Sequence, residues 1–270
     1  MVLKRLSIEQ GFLWAQRFAQ REWRLLLPVA LAFGALPPLV VDLLVPNAAA
    51  AMLATAPNGS MAPAMAMAGW VLPLMLLVLL IGLVGSLSIT AMALVPAISV
   101  SEAIVRAVRR LPAMIGAMLL VAAALLAVAV VIGIVFGALR VNLVQLQALL
   151  LGVILGMGLF FSARLAMLSP LIVDGTSGPV AAIRASWHLT QGVFWRILAA
   201  ILLYIACAGI ILFALGTAIG AVLLLLGHAT GSPETATVLT AVLFRIGTAI
   251  ASAGLGLLIV GLYRQLHPAG

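Results

Sequence analysis

The sequence predicts an all-α, polytopic membrane protein with six transmembrane helices and amphipathic helices interleaved with them on the cytoplasmic face. Apolar residues make up 66% of the 270 residues and charged residues only 7%, whereas about a quarter of a soluble domain is charged. Several apolar runs reach the roughly 20 residues that a helix needs to cross the hydrocarbon core. These runs are continuous and do not alternate with polar residues, which favours helices over a barrel.

The distribution of basic residues predicts the orientation of the chain. With six spans, 12 of the 14 Lys and Arg residues fall on one side, and only Arg140 and Arg245 do not. The positive-inside rule places that side, and with it both termini, in the cytoplasm. The bias of 13 Arg to one Lys, with many Ala and Gly, indicates a bacterial source. We therefore expect a single domain, residues 1–270, that crosses the bacterial inner membrane several times.

The first segment combines a surface helix with a span. Residues 7–24 carry apolar side chains on one face and Glu, Gln and Arg on the other, which predicts an amphipathic helix at the membrane surface. Span one follows at about residues 25–45, where Pro37 and Pro38 predict a kink. Span two is predicted at about residues 69–94, after a loop without Lys or Arg.

A second amphipathic helix is predicted at residues 99–111. Ser99 and Glu102 have the spacing of a capping box, which favours a helix start at this point. Pro112 is expected to end the helix, because the residue before a proline is pushed out of the α region. Spans three and four are predicted at about residues 113–139 and 148–168, and residues 174–178 are expected to form a loop.

A third amphipathic helix is predicted at residues 179–191. Pro179 suits the first turn of a helix, and Gly192 predicts a hinge into span five, at about residues 193–226. This span is long for one crossing, and the sequence leaves open whether it is continuous. Span six is predicted at about residues 238–262.

Nothing in the sequence points to catalysis, a metal or a cofactor. The three histidines are His188, His228 and His267, and no two of them share a helical turn. A metal site needs converging ligands, and no hydrolase or zinc-protease motif occurs. We therefore expect no catalytic, cofactor-binding or metal-binding residues, and the positive net charge is explained by topology without nucleic acid.

The basic helices have two interpretations that the sequence does not separate. They either anchor the protein among the headgroups and set its topology, or they bind phosphates of anionic lipids or a partner. The candidate headgroup or partner contacts are Arg106, Arg109, Arg110, Arg184, Trp187, His188, Trp195 and Arg196.

Two ionisable residues fall inside predicted spans. Asp42 lies near the external end of span one and Arg245 lies about two turns into span six from the same side. Intramembrane charges usually pair with one another or mark a solute pathway. The sequence predicts an ion pair between them, either structural or part of a permeation site.

The segment AIRASWHLTQGVFWRIL, preceded by RLAMLSPLIVDG, resembles the signature of the membrane domain of glycerophosphoryl diester phosphodiesterases. The matching positions are Arg184, Ser186, Trp187, Leu189, Thr190, Gly192, Phe194 and Trp195. His188 and Gln191 stand where that family more often has a basic residue. The resemblance implies a helical inner-membrane domain without the separate catalytic barrel that some members carry, and thus fold and location without hydrolysis.

Together these observations predict a non-catalytic inner-membrane protein that is lipid-associated or an assembly component in envelope maintenance. Its expected partners are membrane lipids, including anionic ones, and either another membrane protein or a second copy of the chain. A small-solute transporter or channel is the first alternative. An enzyme or accessory protein acting on lipid phosphodiesters is the second.

Overall fold

The computed structural model describes residues 7–44, 62–95, 97–138, 143–175 and 178–266. All regular secondary structure in these ranges is helical. Six helical segments are long and apolar enough to cross a membrane. The predicted fold class is therefore confirmed. The predicted ends of spans one and three, residues 45 and 139, and Arg140 lie outside the described ranges, as do both chain termini.

The first span is a helix with two irregularities. Helix α1, Ile8–Ala30, leaves helical geometry at Glu22 (φ −109°, ψ 15°), close to the predicted boundary between surface helix and span. A π-helical turn, Leu31–Ala35, then leads into α2, Leu36–Leu44. The N–H of Leu36 bonds to the carbonyl of Leu31. Because Pro37 and Pro38 have no N–H to donate, the irregularity lies in the turn before them.

The second amphipathic helix and span three form one element. Helix α3 is Ala62–Leu94 and α4 is Val100–Ala138. Ser99 and Glu102 form the predicted capping box, in which each backbone N–H donates to the other side chain at 3.0 and 3.3 Å. The prediction that Pro112 ends this helix is wrong. Ala107 and Ala117 are both fully buried, so packing on either side of the proline compensates for the one hydrogen bond it removes.

Span four ends earlier than predicted and is followed by an unexpected short helix. Helix α5, Leu143–Arg164, stops four residues before residue 168, and α6, Leu168–Asp174, ends at the first residue of the predicted loop. Pro170 lies in the first turn of α6, where a proline is tolerated. Gly175 ends the helix with a φ of +118°. Ile172 is fully buried, so this short helix belongs to the core.

The last three helices follow the predicted order. They are α7, Pro179–Thr190; α8, Phe194–Ala229; and α9, Pro233–Leu266. Gly192 has a φ of +79° and separates α7 from α8, as the predicted hinge requires. The question left open by the sequence is answered, because α8 is continuous over its full length. Helix α9 begins at Pro233, five residues before the predicted start of span six at residue 238.

Helix α9 lies at the centre of the bundle. It shares one buried cluster with α1 and α3, through Leu87 and Val260, and another with α6 and α8, through Leu171 and Leu258. It crosses α1 closely, since a Cβ on Gly261 would lie 2.9 Å from the carbonyl oxygen of Gly11. The outer surface of the bundle is strongly apolar, as a bilayer requires.

Candidate functional site

Two adjoining cavities meet at the turn between α3 and α4, one of them between α1, the end of α3 and the end of α9, and the other along the start of α4. One has a volume of about 670 Å³ and the other about 720 Å³, and both are lined by Ala97 and Ile98 in the turn between α3 and α4. Ala97 has a φ of +57°, which is uncommon for a residue with a side chain. We call the two cavities together the basic groove.

Six arginines line the basic groove, and they come from three helices. Arg17 and Arg21 belong to α1 and Arg264 to α9. The other three, Arg106, Arg109 and Arg110, belong to α4. The groove thus gathers basic residues from the beginning, middle and end of the chain.

Two glutamates also line the groove, and both are already engaged. Glu22 accepts a hydrogen bond of 2.9 Å from Nε of Arg21. Glu102 accepts from Ser99 in the capping box of α4. Since six arginines face two glutamates, the groove carries excess positive charge and attracts anions.

Apolar side chains complete the lining of the basic groove. Phe18, Leu25 and Met92 line it beside the arginines of α1. Leu25 begins the apolar part of α1 and Met92 is buried near the end of α3. The guanidinium carbon of Arg264 lies 5.3 Å from the centre of the Trp14 ring, within cation–π range. The groove therefore offers charge and apolar surface side by side.

The structure divides the predicted contact residues into two groups. The three arginines of α4 line the basic groove, whereas the five residues on α7 and α8 do not. Arg184 and His188 are exposed on α7, and Trp195 is 77% exposed on α8. From the sequence, Arg17 and Arg21 were assigned to the polar face of the first amphipathic helix, and Arg264 only to the topology. The spacing of Arg17 and Arg21, four residues apart on one helix face, was the available signal.

Trp187 instead belongs to an aromatic enclosure around Arg164, at the end of α5. The guanidinium carbon lies 4.8 Å from the centre of the Trp187 ring, 5.1 Å from that of Phe194 and 5.6 Å from that of Phe160. Nη1 also lies 3.4 Å from the hydroxyl oxygen of Thr190. We call these five residues the arginine cage.

The arginine cage explains several residues of the family-like segment. Besides the cage members Trp187, Thr190 and Phe194, the fully buried Ser186 donates a 2.7 Å hydrogen bond to the carbonyl of Arg164. These residues hold α7 and the start of α8 against the end of α5. Sequence reasoning did not single out Arg164, although Phe160 precedes it by one helical turn.

Asp42 and Arg245 form the ion pair that their positions predict. Nε and Nη2 of Arg245 donate to the two carboxylate oxygens of Asp42 at 2.6 and 2.7 Å. About a third of each side chain remains exposed. Arg245 precedes Arg264 by 19 residues on α9, which separates the pair from the basic groove by about 28 Å along the helix.

A smaller cavity of about 240 Å³ lies beside the π-helical turn. Phe33 and Gly34 of that turn line it, together with Ser86, Thr90 and Ser252. Each of these three hydroxyls donates to a carbonyl of its own helix. The cavity has room for a few water molecules, but no charged side chain lines it.

Comparisons with known proteins add no relative. No family model matches this chain, nor does any curated protein or solved structure. Among the described residues, no group of three or more His, Cys, Asp or Glu side chains is arranged to hold a metal ion. The description of this protein therefore rests on its own sequence and geometry.

Proposed function

We propose that this chain is a non-catalytic protein of the bacterial inner membrane that binds anionic phospholipids through the basic groove. The single observation behind the proposal is the presence of six arginines at two cavities that share Ala97 and Ile98, with those of α1 and α9 lining one cavity and those of α4 lining the other. Lipid phosphates form charge-assisted hydrogen bonds with guanidinium groups, and each basic residue near an anionic membrane surface contributes about 1 kcal/mol. In this proposal the groove faces the cytoplasm.

The apolar part of the groove favours a lipid over a soluble anion. Phe18, Leu25 and Met92 are apolar, so a free phosphate in the groove gains no favourable contact from them. A phospholipid presents its glycerol and first methylene groups directly below the phosphate, so it can meet the arginines and these side chains together. Lipid binding at this position fits a role as a lipid-associated or assembly component of the envelope. We extend the proposal to membership of the membrane-domain family that the sequence resembles.

Native mass spectrometry of the purified protein with defined lipids tests the proposal. Phosphatidylglycerol should be retained more strongly than phosphatidylcholine. A variant with Arg17→Gln and Arg106→Gln removes one charge from each cavity, so about 2 kcal/mol should be lost and the affinity should fall about 30-fold. Free glycerol phosphate should displace the lipid poorly, since it lacks the apolar part.

Arg184→Gln is the matched control for this experiment. Arg184 is exposed on α7 and lies outside the basic groove. Its replacement should leave lipid retention unchanged. Equal losses in Arg184→Gln and in the groove variant, or equal retention of both lipids by the wild type, would contradict the proposal.

A further inference from the structure

The two cavities of the basic groove carry the same set of charges. Three arginines and Glu22 line the first cavity, and three arginines and Glu102 line the second. Each glutamate already accepts a hydrogen bond from a neighbour in the sequence, Glu22 from Arg21 and Glu102 from Ser99. Each cavity therefore has a net charge of +2, and each attracts an anion of its own.

Most guanidinium groups of the groove have no partner within the protein. Arg21 is paired with Glu22, and Arg264 lies over the ring of Trp14. The other four make no hydrogen bond or ion pair within the part of the chain that the structure describes: Arg17, Arg106, Arg109 and Arg110. A guanidinium group has five N–H donors, so both cavities keep donors available for an anion.

The two cavities meet at one turn of the chain. Ala97 and Ile98, between α3 and α4, line both of them. The three arginines of the second cavity lie within ten residues of the start of α4 at Val100, which is about 15 Å of helix. A ligand in one cavity and a ligand in the other therefore share the same wall.

A ligand with two linked phosphates fits this arrangement better than two separate ligands. Once the first phosphate is bound, the second cavity is reached within the same molecule, so the entropy of association is lost only once. Two lipids with one phosphate each lose that entropy twice. Both cavities also place an apolar side chain beside the arginines, Leu25 in the first and Val105 in the second, so both can contact the apolar part of a lipid.

We propose that the basic groove binds one phospholipid with two phosphates joined by a glycerol, diphosphatidylglycerol, with one phosphate in each cavity. This inference rests on the proposed function and names the class of lipid that the groove selects. In each cavity, guanidinium groups donate charge-assisted hydrogen bonds to the phosphate oxygens. The affinity for the linked pair of phosphates exceeds the affinity for one phosphate because both cavities contribute to it.

Native mass spectrometry with competing lipids tests the inference. The purified protein is saturated with phosphatidylglycerol, which carries one phosphate, and diphosphatidylglycerol is then added. Each bound diphosphatidylglycerol should displace two molecules of phosphatidylglycerol, and its affinity should be at least about 100-fold higher. Displacement of one molecule by one, or equal affinities of the two lipids, would overturn the inference.

Two paired variants test whether both cavities hold the same molecule. Arg106→Gln with Arg109→Gln removes two charges from the second cavity, and Arg17→Gln with Arg264→Gln removes two from the first. Either pair should lower the affinity for diphosphatidylglycerol about 30-fold. Phosphatidylglycerol should still bind in the intact cavity, which shows that the variant is folded. An effect of only one pair would place the lipid in a single cavity and overturn the inference.

Arg24→Gln with Arg184→Gln is the control with the same change in charge. Both arginines are exposed, and neither lines the basic groove. The preference for diphosphatidylglycerol should be unchanged, and its loss would show that the lipid responds to total charge and not to the groove. A wild type that prefers phosphatidylglycerol over phosphatidylcholine, but not diphosphatidylglycerol over phosphatidylglycerol, would overturn this inference alone. No preference for either anionic lipid over phosphatidylcholine would overturn the proposed function as well.

Discussion

The guanidinium carbon of Arg164 lies 4.8 Å from the centre of the Trp187 ring, and two phenylalanine rings lie within 6 Å of it. The described part of the chain shows no carboxylate paired with Arg164. Its charge is instead stabilised by ring electrons and by the hydroxyl of Thr190. The contact connects the end of α5 with α7 and with the start of α8, on either side of the turn at Gly192. The cage therefore fixes the position of α7 relative to α5.

Trp187 and Arg164 should therefore be energetically coupled. Trp187→Leu and Arg164→Met should each lower stability, and the double variant should lose less than the sum of the two. A cation–π contact in a half-buried place is worth about 1 kcal/mol, which is the coupling expected. Thermal unfolding in detergent measures it. Strictly additive losses would show that the two residues only fill space.

The charges of Asp42 and Arg245 should each destabilise the fold when the other is removed. Asp42→Asn or Arg245→Gln leaves one charge without its partner at membrane depth, at a cost of roughly 1–3 kcal/mol. The double variant should be more stable than either single variant, because no charge remains unpaired. Unfolding in a denaturing detergent provides the ranking. A double variant less stable than both singles would contradict the pairing.

Two glycines of α3 should respond in opposite ways to alanine. A Cβ on Gly85 would overlap Phe33 of the π-helical turn, whereas a Cβ on Gly82 would meet nothing within 4 Å. Gly85→Ala should cost about 1–3 kcal/mol through overpacking. Gly82→Ala should gain up to about 1 kcal/mol of helix propensity. Similar melting temperatures for the two variants would argue against close packing of α3 on the first span.

The orientation in the membrane can be tested with single cysteines. Cys207 is replaced by Ala, and one cysteine is introduced at Gln191 or at Thr235, both of which are exposed. The positive-inside rule puts position 191 in the cytoplasm and position 235 outside. A membrane-impermeant maleimide should label Thr235→Cys in spheroplasts and Gln191→Cys only after lysis. Labelling of both, or the reverse pattern, would reject the orientation.

The spans were predictable because hydropathy is a local property of the sequence. The points at which helices end or continue were not, because they depend on contacts with other helices. The effect of Pro112 depends on the buried contacts of Ala107 and Ala117, which no window of sequence reveals. The helix from Leu168 to Asp174 is too short to show the helical repeat of apolar residues in its sequence. It is buried by neighbouring helices, which the sequence does not reveal. The capping box was predictable because its two members, Ser99 and Glu102, lie only three residues apart in the sequence.

The candidate site was predictable only where its residues share a helix. Arg106, Arg109 and Arg110 were recognised together because one helical turn carries all three. Arg17 and Arg264 line one cavity together only through the crossing of α1 and α9. The arginine cage likewise needs α5 beside α7, a tertiary contact that spacing along the chain does not contain.

The contact between Ser7 and Gln265 has a consequence for biogenesis. The side chain of Gln265 accepts from the Ser7 N–H at 2.9 Å and donates to the Ser7 carbonyl at 3.1 Å. The ribosome makes Ser7 early and Gln265 258 residues later. The N–H and carbonyl of Ser7 therefore lack this partner until α9 has been synthesised. Formation of these two hydrogen bonds requires α9 to have packed against α1.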